Sequence, residues 1–572
     1  MSTNTSSSPF TGEQKEYLAG FFAGVAQRGM RFADAAPPSS QPQPEPDDLI
    51  FEERVKRELH PLDAYGQILE NAAANRAPDK EEIFRFKWNG LFFLTPVKDA
   101  FMARLRIPGG FLSTHQSREL ARVAEQLTTG YVQITTRANL QIRLIEPRNA
   151  PEFLRRVQSV GLHTRGAGAD NIRNLTANPT AGIDPVELID VQPFVEDLGA
   201  RIINDRAFYD LPRKFNIALD GGGLIGAVED TNDIGAKAVR VEPGSGLFEE
   251  TPVAFRIALG GATGHKAFAR DAGVLVTPEQ LVKTILAMVR VFIAKGNRGD
   301  RKKARLKHLL EKMSVEEYLG ETEKLLGFTL TRFAQDPEKL RWASQDIAHS
   351  HVGDFPQKQR GLNYVGVTIP VGQISPKQML RVAELADLYG SGEIRLTVWQ
   401  NFIIPNVPDA FVPTLKKALE KCGLGVRQSH LSSGVIACTG SRYCKFAQAD
   451  TKAHALQLIK MLEERIGADM DQPVNIHFTG CPNSCAQHFM GDIGLMGVKV
   501  RGEEGYHVFV GGGFGKHQAV GRQIFSGVLA GELPDLIEKL LRAYLHHRAA
   551  KESFLTFTTR HELGRLQELF SE

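Results

Sequence analysis

A chain of 572 residues with five cysteines, none of them before Cys422, offers no disulfide framework. Its opening residues, MSTNTSSSPF, lack both the basic and the apolar stretch of a secretory signal. Reduced thiols and a cytoplasmic location are therefore expected; an organellar protein stripped of its transit peptide fits the same features. No uncharged apolar run reaches the ~18 residues that suggest a membrane span, so no membrane is expected. Neither sign of charge dominates. The 69 Lys and Arg stand against 66 Asp and Glu, and the net +3 supplies no global field for nucleic acid. What remains, 42% hydrophobic and 24% charged, is the composition of a soluble globular protein, long enough for several domains.

Four of the cysteines fall into two pairs, Cys438 with Cys444 (CTGSRYC) and Cys481 with Cys485 (TGCPNSCAQH). Four thiols gathered late in a long chain suggest one four-ligand site. Three readings compete. Free cysteines pack as small hydrophobes. Zinc takes tetrahedral S/N sets built mostly on tight knuckles, and the Cys438–Cys444 spacing is wide for one. A [4Fe–4S] cubane takes four thiolates from loops of looser spacing. Gly440, Gly480 and Pro482 suit loops whose backbone N–H groups approach the sulfurs.

Residues 11–32 read as an amphipathic helix capped by Thr11, serving as a packed arm or a partner-docking element, and 35–48 as a Pro-rich polar linker. Beyond Phe84 the chain repeats itself. LRIPGGFLSTHQSRELARVAEQL, from Leu105, resembles VTIPVGQISPKQMLRVAELADL, from Val367. YVQITTRANLQIRLI, from Tyr131, resembles GEIRLTVWQNFIIPN, from Gly392, with Asn139 matching Asn401. FNIALDG, Phe215–Gly221, resembles VNIHFTG, Val474–Gly480. Three matches in order, at an offset that stays near 260 residues, indicate duplication. The second copy carries the thiols. The first carries Lys214 and Asn216 on the matching strand, and Arg173 in DNIRNLTANP, the counterpart of the stretch around Cys438.

Together these motifs resemble the sirohaem-dependent nitrite and sulfite reductases, from roughly Phe84 to Val510. The resemblance implies an α+β fold of three interlocked lobes with a pseudo-two-fold repeat: two ferredoxin-like strand–helix halves plus two α/β lobes. The expected segments are an N-terminal helix and linker (1–48), a first ferredoxin-like half (49–155), a basic sirohaem and substrate lobe (156–345), a second half (346–424), a cysteine-bearing lobe (425–545) and a C-terminal tail (546–572). It implies that Cys438, Cys444, Cys481 and Cys485 hold a [4Fe–4S] cluster, with Cys485 also bridging to the sirohaem iron. Cluster and anionic substrate are then expected on opposite sides of a shared cavity.

Arg104 and Arg106 sit two apart on an expected strand, hence on one face. Lys214 and Asn216 share a face opposite Arg213. Read alone, such cations are solvated surface. In the family, residues matching Arg104, Arg173, Lys214 and Asn216 line the distal face of the sirohaem. Arginine presents a permanently charged fork to oxyanions, and a desolvated lysine near other cations becomes a proton donor. Lys214 is the expected donor, with Arg104 and Arg173 as anion clamps. Sirohaem carries eight carboxylates, so a basic cradle is expected from Arg137 and Arg143, read on one strand, from Arg213, and from Arg301 and Arg305 in a tract that reads as a helix start capped by Asp300.

The family's nitrite reductases have Lys-x-Asn where its sulfite reductases have Lys-x-Lys, and here the strand reads Lys214-Phe215-Asn216. One fewer cation suits monoanionic nitrite. Pro108-Gly109-Gly110 departs from the Pro-Asn-Gly of nitrite reductases and leans toward sulfite. VGGGFGKHQAVG lacks both nucleotide-loop patterns, so electrons are expected from another protein, ferredoxin or flavodoxin, docked on exposed Lys and Arg near the cluster: Lys445, Lys452 and Arg501 are candidates. A monomer is expected. The C-terminal LGRLQELF reads as a packed terminal helix. The alternative of another class is a non-catalytic protein with four thiols on zinc and a basic tract for an acidic partner.

Overall fold

The computed structural model describes residues 49–571, apart from 94–95, 98, 129, 242–251, 334–339, 342–350 and 428. The helix and linker expected over 11–48 lie outside the described residues.

Two antiparallel sheets of five strands each form the first lobe, and each borrows its last strand from the other half of the chain. Strands Leu91–Phe93, Phe101–Arg104, Leu140–Ile145 and Val132–Ile134 are completed by Gln373–Ile374, with Ile374 opposite Val132. Gly353–Pro356, Leu362–Val367, Phe402–Pro408 and Glu393–Leu396 are completed by Phe111–Ser113, with Ile394 opposite Leu112. Each lent strand runs straight into a helix, Thr114–Leu127 or Pro376–Tyr389, and each helix starts with the same capping box, Ser113 with Gln116 and Ser375 with Gln378. Leu120, Val123 and Ala124 of one helix and Val382, Leu385 and Ala386 of the other belong to a single core. The halves interlock because neither can bury its apolar face alone.

The other two lobes have separate cores and matching sheets. In one, Thr176–Ala177, Ile217–Asp220 and Ile234–Val241 run parallel, followed by antiparallel Val253–Leu259 and Arg270–Val276. In the other, Val435–Ala437, Ile476–Thr479 and Ile493–Val500 run parallel, followed by antiparallel Glu503–Val510 and Arg522–Leu529. The duplication extends to a buried device. Asp233 Oδ2 accepts the Asn216 N–H at 2.8 Å, and Asp492 Oδ2 accepts the Asn475 N–H at 2.7 Å. The C-terminal helices Phe554–Arg560 and Leu563–Leu569 bury Phe554, Phe557, Leu566 and Leu569 in the cysteine lobe's core, so the terminal segment is a packed cap.

Candidate active site

Strands Val435–Ala437 and Ile476–Thr479 lie side by side and parallel, so the loops leaving their C-terminal ends emerge together. These loops carry the four thiols, which act on one another. Burial first, then Cys438, Cys481 and Cys444, push the Cys485 thiol up, against the pull of Lys214. Cys481 is raised by burial and by Cys438 and Cys444. Among the described residues no three of His, Cys, Asp or Glu converge as ligands of one metal ion. The Gly480 N–H donates to Cys438 Sγ at 3.1 Å. Gly440, at φ +74°, admits the N-terminus of helix Thr451–Ile466: a Cβ there would stand 2.8 Å from the Thr451 nitrogen. Thiols facing backbone N–H groups and a helix N-terminus fit a thiolate-bound cluster.

The cations come from two lobes, Arg173 and Lys214 from the basic lobe and Arg104 and Arg137 from the central sheets. Phe215 is fully buried, so Lys214 and Asn216 on either side of it project the other way, as the alternation predicts. Arg104, Arg137, Arg173 and Lys214 keep accessible surface. Yet desolvation is the leading cause of the lowered pKa of each. Groups that are desolvated and yet keep accessible surface lie in a recess rather than on the outer surface. Cys485 has the same two properties, and its charge acts on both Arg104 and Lys214. After burial, Arg305 depresses Lys214 most among the cations, followed by Arg173 and Arg213. Arg173 is lowered well below the ordinary arginine value by burial and by Arg104, with Asp170 opposing. Packing like charges into a desolvated cavity is costly unless an anion occupies it. The donor set therefore fits a polyanionic cofactor with an oxyanion beside it.

The guanidinium of Arg104 donates to the Ala167 carbonyl at 3.3 Å and lies over the Phe92 ring at 4.6 Å. Arg173 donates to the carbonyls of Ala167 and Ala169 at 2.7 and 2.9 Å. Arg106, buried, holds the same loop through the carbonyls of Arg165, Gly166 and Ile172. Its Nε and Nη2 donors are spent on that loop.

Arg137 and Arg143 do not share a strand. A turn over 135–139, with Ala138 at φ +45°, separates them. Arg137 reaches into the basic lobe, donating to Asn174 O at 2.7 Å and Asn232 Oδ1 at 2.9 Å. Arg143 reaches the cysteine lobe, donating to Thr439 Oγ1 at 2.8 Å with its guanidinium 5.0 Å from the Tyr443 ring centre. Each binds one lobe to the central sheets. In the basic tract Asp300 caps a short 3₁₀ turn, Arg301–Lys303, ahead of the helix Leu306–Leu309. Arg301 gives both terminal nitrogens to buried Asp170, at 2.7 and 2.8 Å, and Arg305 grips buried Asp233 at 2.7 and 3.1 Å. These two forks are already engaged by protein carboxylates, unlike the free basic groups expected of them. Arg213 stays half-buried, 3.7 Å from Asp170.

Lys445 and Arg501 are exposed, but Lys452 is buried and cannot belong to a docking surface. The reading of the sequence missed Lys87, whose ammonium is depressed by burial and shares the field of Asp170, Lys445, Arg301 and Arg173. It also missed His265, lowered to about 4 by burial, Arg305 and His308. Asp170 could have been found as the one acid in an otherwise neutral and basic loop.

Two family profiles match the chain. The nitrite and sulphite reductase 4Fe-4S domain matches residues 168–330 and 432–568. The nitrite/sulfite reductase ferredoxin-like half domain matches 96–160 and 355–422. The chain belongs to the nitrite and sulphite reductase family. It is an oxidoreductase of that family, with the family's 4Fe-4S domain in duplicate. A ferredoxin–nitrite reductase of Synechococcus elongatus is 37% identical over 469 residues, 80% of this chain and 88% of the relative. An assimilatory ferredoxin-dependent nitrite reductase of Haloferax mediterranei is 32% identical over 82% of this chain and 84% of its own. The solved structure of the Mycobacterium tuberculosis NirA protein superposes with a TM-score of 0.81 at 30% identity, covering 91% of this chain and 97% of NirA. No helix among the described residues is long and apolar enough to cross a membrane.

Proposed function

We propose that this protein reduces nitrite to ammonium with electrons from reduced ferredoxin, at a sirohaem bridged to a [4Fe–4S] cluster. The observation that carries this reading is the desolvated group of Arg104, Arg173 and Lys214, in which the Cys485 thiol acts on both Arg104 and Lys214. Cys438, Cys444, Cys481 and Cys485 would hold the cluster, Cys485 would also reach the sirohaem iron, and Arg137, Arg213 and the cradle oriented by Arg301 and Arg305 would take sirohaem carboxylates. When bound, the paired groups supply electrons one at a time to the substrate nitrogen. Six electrons and eight protons turn nitrite into ammonium and two waters, so the residues around the cavity must bind an anion and pass protons. Arg104 and Arg173 hold the oxygens by charge-assisted hydrogen bonds. Lys214, its ammonium already made more acidic by burial and by Arg305, gives its proton to a departing oxygen.

Asn216 supports nitrite as the substrate, since its neutral amide withholds the cation that a dianion would want. Sulfite is the second reading, and Gly109-Gly110 favoured it. Those glycines have a local explanation. Gly109 and Gly110 take φ of +68° and +82°, a Cβ on Gly110 would stand 2.7 Å from the Leu396 carbonyl, and one on Gly109 would meet the Phe111 ring. The turn thus has a packing reason of its own. The electron donor is supported by the loop around Cys444, where Arg442, Lys445 and Phe446 are all exposed beside a thiol, a surface suited to an acidic protein.

The test is steady-state turnover of the iron-loaded protein with a reduced viologen, on nitrite and sulfite in parallel. A large kcat/KM preference for nitrite with ammonium as product is expected. Asn216→Lys should move kcat/KM toward sulfite. A wild-type preference for sulfite would overturn the substrate assignment and leave the clamp standing.

A further inference from the structure

Lys452 breaks three rules at once. It is a lysine with 5% of its surface exposed, whereas lysines are almost never buried unless paired. It occupies the first turn of the helix Thr451–Ile466, the positive end of the helix dipole, where a cation is disfavoured. And among the described residues no carboxylate stands within ion-pair distance of it. Its ammonium donates to two backbone carbonyls, Val371 O and Ala437 O, the second at 3.3 Å. Asp450, the nearest acid in sequence, turns its carboxylate to the Ala453 N–H and its own N–H to Glu504. Burial pulls the ammonium down to about 7, and the strongest opposing influence is the thiol of Cys438. Arg143, a second cation, works against it, and Asp450 adds a weaker pull upward than the thiol.

An ion buried on such terms costs several kcal/mol unless a negative charge compensates it. The surroundings point to that charge. Thr451, one residue before Lys452, donates its hydroxyl to the Cys438 carbonyl at 2.9 Å and lies 3.6 Å from Cys438 Sγ. Ala437, whose carbonyl Lys452 holds, immediately precedes Cys438. Four thiolates on a cubane leave a net negative charge that grows by one on reduction.

We propose that Lys452 is a built-in counter-charge to the thiolate-bound cluster, a positioning and tuning residue that makes the cluster easier to reduce. The inference rests on the reading of Cys438, Cys444, Cys481 and Cys485 as cluster ligands. The carbonyl of Val371, in the left-handed turn of the second ferredoxin-like half (φ +48°), fixes the ammonium from the far side. The central lobe thereby sets the distance between cation and thiolate.

Three variants separate charge from shape. K452R keeps the charge, K452Q keeps N–H donors for the two carbonyls without the charge, and K452M keeps neither. Each is assayed for fold by circular dichroism, for iron and acid-labile sulfide, and for cluster reduction by potentiometric titration followed by EPR. Iron and sulfide in the wild-type protein test the ligand reading separately; their absence sinks that reading before Lys452 is considered. With the cluster present, K452R is expected to match wild type. K452Q and K452M are expected to lower the one-electron reduction constant about tenfold, or ~59 mV. Folded neutral variants that lose iron while K452R retains it also support the counter-charge. A wild-type potential in K452Q overturns it. So does an arginine variant displaced as far as the neutral ones, or loss of the fold in all three, since the role would then be shape.

Discussion

The basic lobe and the cysteine lobe share a strand order, a parallel-to-antiparallel switch and a buried aspartate that accepts an asparagine N–H. They differ in what answers that aspartate. Asp233 is gripped by Arg305. Asp492 has no cation partner among the described residues, and burial raises it to about 7. One scaffold thus carries two different loads: cations braced by the buried carboxylates Asp170 and Asp233 in one copy, and thiols near backbone N–H groups and the buried Lys452 in the other. Duplication supplies the facing geometry without design of two separate folds. In the proposed reading, the chemistry comes from loading one copy with cations and the other with thiols.

The division of labour is tested most severely at Lys214. Replacing it with methionine removes the proposed proton donor from the cation side and leaves the thiol side intact. A fall in kcat/KM for nitrite of about 10²–10⁴-fold is expected, with iron content unchanged. Turnover within a few-fold of wild type would mean that protons reach the cavity by another route.

Next come the paired aspartates. Asp233→Asn leaves Arg305 buried without a counter-ion and should cost about 3–5 kcal/mol. Asp492→Asn should do the reverse at alkaline pH. The folded protein holds the Asp492 proton up to about pH 7, whereas an unfolded chain releases it near pH ~3.9. Its contribution to stability is therefore full below that lower value and lost as pH rises through 7. The asparagine, which mimics the protonated acid, should flatten this part of the Tm–pH curve and raise Tm at pH 8. Equal effects of the two substitutions would mean that the lobes are not specialised in the way described.

How much of this was legible follows from which interactions are local. The cysteine spacing and the Lys214-Phe215-Asn216 alternation could be read because strand periodicity alone fixes which residues face together. The duplication could be read because capping boxes and turns repeat along the sequence. The separation of Arg137 from Arg143 could not, since it depends on Ala138 entering a left-handed conformation that a non-glycine residue seldom takes. The engagement of Arg301 and Arg305 by Asp170 and Asp233 spans 131 and 72 residues and leaves no local trace. Lys452 misled for the opposite reason: composition places lysine at the surface, and only tertiary packing against Val371 and Ala437 buries it.

The smallest expected effect lies at the rim, where the cysteine lobe meets solvent. Phe446 is 54% exposed, and Lys445 lies over its ring at 5.2 Å. Both follow directly on Cys444, and Lys87 of the first half shares their field. An exposed aromatic beside an exposed lysine suits an acidic donor, with charge governing encounter and the ring governing residence. Lys445→Glu should raise KM for reduced ferredoxin about tenfold, through slower association, and flatten its dependence on salt. Phe446→Ala should raise it less and leave the salt slope alone, while KM for nitrite stays put in both, because the substrate enters from the cation side. A change in KM for nitrite as large as that for ferredoxin would show that donor and substrate do not approach from opposite lobes, and that the two halves are less independent than their folds suggest.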